Sequence, residues 1–166
     1  MMKTTPRKDK TMKKTTKPEA GLTVALTIGG LPLVCETTGE TIREPEAVRR
    51  LLDDVAQLAQ EAMIVLTLNQ KYKLIRRHLV TLGIANACHA HPREIFRVAI
   101  ADGACAVILA HNHPSGDPTP SAEDIATTRQ AVEAGKIIGI QVLDHIVLGR
   151  PGYTSLRESG LCDFNT

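Results

Sequence analysis

The chain is predicted to be an α/β protein in which a mixed β-sheet is flanked by helices. Three observations point there. Short apolar runs alternate with segments of helical period, two of those runs are joined by a tight turn, and residues 104–110 (ACAVILA) are apolar throughout, as a strand covered on both faces must be.

The elements follow in order. Residues 22–28 and 31–35 are apolar runs separated by Gly29-Gly30, which predicts a hairpin. Residues 37–41 are rich in Thr and Gly and form a link. From Pro45 the period changes: Val48, Leu51, Leu52, Val55 and Leu58 share one face of a helix whose first turn holds Pro45 and Glu46. Residues 61–68 are an apolar run for a buried strand, and residues 69–71 turn into an antiparallel neighbour over 72–82. A second helix starts at Pro92, carries Ile95, Phe96, Ala99 and Ile100, and stops at Gly103. After the strand at 104–110, residues 111–120 hold three prolines and a glycine and form a loop. A third helix starts at Ser121 and ends before Gly135, and residues 140–148 make a further strand.

Composition bounds the function. Of 166 residues 43% are hydrophobic, enough for one core, and no apolar run reaches the ~20 residues of a membrane span. A cytoplasmic protein without membrane contact is expected, since the lysine-rich start also lacks the apolar stretch of a secretory signal. The net charge of +2 conceals an asymmetry: residues 1–19 contain seven basic and two acidic residues, and the rest of the chain is slightly acidic. Residues 1–20 are read as a basic disordered tail, residues 21–39 as a strand and hairpin lead-in, and residues 40–166 as the folded domain. With only two Tyr and two Phe the body is a poor nucleic-acid surface, so any nucleic-acid contact would have to come through residues 1–19. Cys35, Cys88, Cys105 and Cys162 form no C-x-x-C pair and are read as small core hydrophobes.

The chemistry concentrates in residues 111–124, HNHPSGDPTPSAED. His111 and His113, two residues apart where a strand runs out, project to one side and can reach one ion. A carboxylate on the first turn of the next helix, Asp124, can close a His, His, Asp set with a fourth tetrahedral position left for water, the arrangement of a catalytic zinc site. Ser121-x-x-Asp124 is also a capping-box signature, and the hydroxyl of Ser121 can cap the helix while facing the site.

His111-x-His113-Pro114-x6-Ser121-x2-Asp124 matches the JAMM metalloprotease motif, and the text around it resembles the RadC branch of the JAB/MPN superfamily. His91-Pro92-Arg93-Glu94 and Leu143-Asp144-His145 extend the resemblance over about residues 40–162. The resemblance implies an MPN (JAB) fold with a layout similar to that of cytidine deaminases. It implies one Zn2+ per chain on His111, His113 and Asp124, with Ser121 supporting the water or the developing oxyanion. The upstream glutamate that the family uses as general base corresponds to Glu61. The implied activity is zinc-dependent hydrolysis of a protein or peptide substrate, of metallopeptidase or isopeptidase type. The alternative implied by the RadC label is an accessory role in DNA repair or recombination, with zinc bound but little proteolysis.

Competing readings are weaker. His89-x-His91-Pro92 repeats the wording but opens a helix and lacks a following S-x-x-D. A role for His91 and Arg93 near the site stays open. His145, inside an apolar strand, is expected to be a satisfied core histidine, and His78 to lie at the surface. A nucleobase deaminase would need H-x-E and P-C-x-x-C, and nucleotide binding a P-loop or G-x-G-x-x-G. The chain contains none of these.

Overall fold

The computed structural model describes residues 27–28, 31–32, 34–36, 39–83 and 90–165. The basic tail, the first part of the 22–35 hairpin, Cys88 and His89 lie outside the described residues. Two short strands, β1 (Thr27–Ile28) and β2 (Leu31–Pro32), pair antiparallel, and β3 (Val34–Glu36) continues into the main sheet.

That sheet has six strands. β3, β4 (Ala62–Leu68), β5 (Leu74–Leu82), β6 (Ala106–Asn112), β7 (Gln141–Leu148) and β8 (Tyr153–Ser155) run in the spatial order β3-β5-β4-β6-β7-β8. All neighbours are antiparallel except β6 and β7, which are parallel because a helix, α4 (Ala122–Ile138), connects them across one face. The sheet is therefore mixed and flanked by helices, as expected from the sequence.

Alternation along the buried strands separates two cores. Met63, Val65, Val107, Leu109 and Val147 pack under α4 and α3 (Pro92–Ala101) through Ile95, Phe96, Ala99, Ala131 and Val132. Ile64, Leu66, Ile108, Ala110 and Ile146 pack under α1 (Pro45–Leu51) and α2 (Asp53–Ala56) through Val48, Leu52, Val55 and Ala56. The metal-motif histidines continue the parity of Val107 and Leu109, so they belong to the α3/α4 side.

Several elements depart from the sequence reading. The single helix after Pro45 breaks at buried Leu52, whose backbone leaves the helical region (φ −112°, ψ 26°). Asp53-Asp54 restarts the helix, and Asp54 forms a two-pronged ion pair with Arg77 of β5 at 3.0 and 2.6 Å. The third helix does not end before Gly135. A Cβ there would lie 2.6 Å from the Ile140 carbonyl and 3.2 Å from the Phe96 ring, so this glycine permits close packing in mid-helix. The left-handed Gly139 (φ +78°) is the true stop. The buried strand begins and ends two residues later than 104–110 and takes in His111 and Asn112. The antiparallel strand starts at Leu74, since Tyr72 (φ +55°) still belongs to the turn.

His78 is buried, not at the surface, and its Nε2 lies 2.6 Å from Asp102 Oδ2. The reason is the face it occupies: His78 stands opposite Val65 of β4, on the side covered by α3, whose C-cap residue Asp102 receives it. Of the cysteines, Cys162 is buried, but Cys105 is exposed at the turn before β6.

Candidate metal centre

The site forms where β6 ends and α4 begins. His111 occupies the penultimate residue of β6, and His113 follows the strand with its amide bonded to the Leu148 carbonyl (3.0 Å). Ser121 is the N-cap of α4 and Asp124 its third residue. The Ser121 hydroxyl accepts from the Asp124 amide (3.1 Å), and Asp124 Oδ2 accepts from the Ser121 amide and hydroxyl (both 2.7 Å). The capping box is thus present. It fixes the carboxylate so that Oδ1 turns to His111 while Oδ2, held by Ser121, also faces His113.

His111 Nε2 lies 3.0 Å from His113 Nε2 and 3.2 Å from Asp124 Oδ1, and His113 Nε2 lies 3.4 Å from Asp124 Oδ2. Ligands bound tetrahedrally at 2.0–2.1 Å from one ion are separated by about 3.3 Å; each of these contacts is of that length, with Oδ1 of Asp124 nearest His111 and Oδ2 nearest His113. Among the described residues this is the one group of three His, Cys, Asp or Glu with donor atoms converging within 4.8 Å. Two imidazoles and one carboxylate suit zinc in donor chemistry as well.

The electrostatics agree. Contact with Asp124 raises the pKa of His113 despite partial burial, and the Asp117 carbonyl and the charge of Glu61 add to the rise. Burial pushes the Asp124 carboxyl up, but contacts with His111 and His113 outweigh it and hold the group far below the usual carboxylate range.

Glu61 precedes β4. Met63 stands opposite His111 in the antiparallel register, so Glu61, two residues earlier, comes level with His113 on the same face. Its backbone carbonyl accepts from the Gly83 amide (2.8 Å) and its side chain is half-buried.

Three buried polar residues that spacing did not assign to the site complete it. Asn112, of opposite parity to the histidines, donates to the Leu58 (3.3 Å) and Gln60 (3.1 Å) carbonyls and accepts from the Ala62 amide (2.8 Å). It clamps the segment that carries Glu61. His145, expected as a satisfied core histidine, is fully buried and hydrogen-bonded as expected, but its partners are His111 Nδ1 (2.8 Å) and the Thr128 hydroxyl (2.5 Å). Parity alone could have flagged Asn112; Thr128 carried a weaker signal, four residues after Asp124 on the same helix face.

The loop between the histidines and α4 is pinned. His113 Nδ1 donates to the Asp117 carbonyl (2.8 Å), the Arg150 amide donates to Gly116 (2.7 Å), and the Arg150 guanidinium donates to the Pro114 carbonyl. A Cβ on Gly149 would come within 2.5 Å of the Gly116 carbonyl and 2.7 Å of Pro118, so only glycine allows this approach. His91 lies apart from the triad and caps α3, accepting from the Arg93 amide (3.2 Å), while Arg93 pairs with Glu94 at 3.2 Å.

The profile of the RadC-like JAB domain matches residues 42–161. A UPF0758 protein of Desulforamulus reducens is 50% identical over 121 residues, covering 72% of this chain and 53% of the relative. Another from Caldanaerobacter subterraneus is 45% identical over 138 residues, covering 81% and 59%. One from Symbiobacterium thermophilum is 47% identical over 144 residues, covering 83% and 62%. The chain matches somewhat over half the length of each of these relatives.

Proposed function

The chain belongs to the RadC-like JAB domain family, and from that premise we propose that it is a zinc-dependent hydrolase of the JAMM type acting on a peptide or isopeptide bond. The observation that carries the reading is the convergence of His111 Nε2, His113 Nε2 and Asp124 at 3.0–3.4 Å beside the strand end that bears Glu61. His111, His113 and Asp124 would hold the cation. Bound there, it would supply Lewis acidity and lower the pKa of a water to about 7.

The remaining chemistry falls to the protein. Glu61, level with His113, accepts the proton of the attacking water and returns it to the leaving nitrogen. The Ser121 hydroxyl donates to Asp124 Oδ2 and through the capping box keeps Asp124 in place; turned away from that carboxylate, its one proton would support the oxygen that gains charge. Asn112 holds the Glu61 segment against the strand that carries the histidines.

The deciding experiment pairs Glu61→Gln with His113→Ala, reading metal per chain by elemental analysis and turnover on a panel of peptide and isopeptide substrates. Glu61→Gln is expected to keep about one zinc and to lose about 10²–10⁴ in rate, the usual contribution of a general base. His113→Ala is expected to lose both. Full zinc occupancy in both variants would refute the ligand assignment.

A further inference from the structure

With a cation on the triad, no proton can stand between His111 Nε2 and Asp124, and the buried hydrogen bonds behind the triad then admit one proton order. Thr128 Oγ1 lies 2.6 Å from the Asp124 carbonyl, which can only accept, so the single hydroxyl proton points there. The contact of the same oxygen with His145 Nδ1 at 2.5 Å then needs the proton on nitrogen. The His145 ring is fully buried and its two nitrogens meet only Thr128 and His111, with no carboxylate on the ring to balance a charge, so it carries that one proton and its Nε2 is bare. His111 Nδ1, 2.8 Å from that bare nitrogen, must be the N–H, which leaves His111 Nε2 as a lone pair facing His113 and Asp124. His113 is set from the other side, where its Nδ1–H donates to the Asp117 carbonyl.

We propose that Thr128 and His145 are positioning residues that hold His111 in its Nδ1–H form and thereby present its Nε2 to a divalent cation. The inference rests on the metal-site reading above and deepens it. The relay begins on the backbone of Asp124 and ends on the ring of His111, so it ties the α4 ligand to the β6 ligand through a closed ring of buried groups. Removing the Thr128 hydroxyl leaves His145 Nδ1–H without an acceptor. His145 then gains by moving its proton to Nε2 and donating to His111 Nδ1, which drives the His111 proton onto the nitrogen that should bind metal.

The test uses the full chain and no substrate. Zinc affinity is measured by chelator competition for the wild type, Thr128→Val and Thr128→Ser, and ring protonation of His145 is read by long-range 1H–15N NMR on the zinc-loaded wild type. Thr128→Val keeps the shape of the side chain and is expected to weaken zinc binding about 10–100-fold, the usual effect of losing such a partner. Thr128→Ser keeps the hydroxyl and should stay within about threefold of wild type, although it loses a packed methyl. His145 should show its proton on Nδ1. Equal affinity in the Val and Ser variants, with only their thermal midpoints lowered, would make Thr128 a packing residue and overturn the proposal, as would a wild-type His145 protonated on Nε2. Failure of the wild type to bind zinc more tightly than His113→Ala would instead overturn the metal-site reading, and this inference with it.

Discussion

Asn112 shows how one residue can serve both sides of a sheet. Its neighbours His111 and His113 face the triad, while its own amide turns to the α1/α2 side and satisfies three backbone groups around Glu61. Asn112→Leu would leave the buried Ala62 amide without a partner, a loss of about 1–3 kcal/mol for an unsatisfied group, and would release the Leu58 and Gln60 carbonyls, whose contacts are only part-buried. The expected outcome is a lower midpoint in urea and loss of turnover, with zinc content near wild type because the ligands stand on the other face. Loss of zinc in this variant would count against the clamp. The sequence showed the histidines as a pair because their spacing has the period of a strand. It did not show the role of Asn112, whose partners lie about fifty residues upstream, at positions 58, 60 and 62.

At the scale of elements, glycines decide where loop and helix can meet the sheet. Gly149→Ala would drive a methyl group into the Gly116 carbonyl and Pro118, displacing the loop that orients His113. Overpacking of this kind costs about 1–3 kcal/mol. Weaker zinc binding together with a lower thermal midpoint is expected, and calorimetry with chelator competition would read both. Gly135→Ala also clashes, with the Ile140 carbonyl at 2.6 Å, but far from the ligands along α4, so it should lower stability and leave zinc affinity unchanged. These two glycines explain why helix and loop limits were only partly legible. Gly135 looked like a stop signal because sequence records the missing side chain and not the neighbour that requires it to be missing. The break at Leu52 was hidden for a similar reason, since apolar spacing continues smoothly through a residue whose backbone has left the helix.

At the scale of the whole molecule, two helical layers enclose the sheet, and the site stands where the parallel pair β6–β7 meets the antiparallel half. No helix among the described residues is long and apolar enough to cross a membrane. A cation joining β6 to α4 would bind the folded chain and not the unfolded one. At a free concentration of a hundred times Kd it adds about 2.7 kcal/mol, a rise of roughly 5–10 °C in Tm for a chain of this size. The pH dependence should reverse between the two forms. In metal-free protein the raised pKa of His113 contributes stability that is present below the ordinary imidazole value of 6.5 and is lost as pH rises through the raised value. Zinc competes with that proton, so its stabilisation should grow over the same interval. Scanning calorimetry in chelator and in excess zinc, from pH 6 upward, checks both slopes; parallel slopes would contradict the shared nitrogen.

The sequence by itself determined the class of the fold, the strand-end position of His111, the helix cap that presents Asp124 and the composition of the candidate ligand set. Those features are local, set by periods of two and 3.6 residues and by backbone amides that need a cap. Only the tertiary structure decided that His78 is buried against Asp102 at the end of α3, that Asn112 fastens the Glu61 segment, and that Thr128 and His145 stand behind His111. Each of those depends on atoms from distant parts of the chain meeting in a space from which water is excluded. There a polar group must find a partner, and the partner is fixed by packing and not by spacing along the chain.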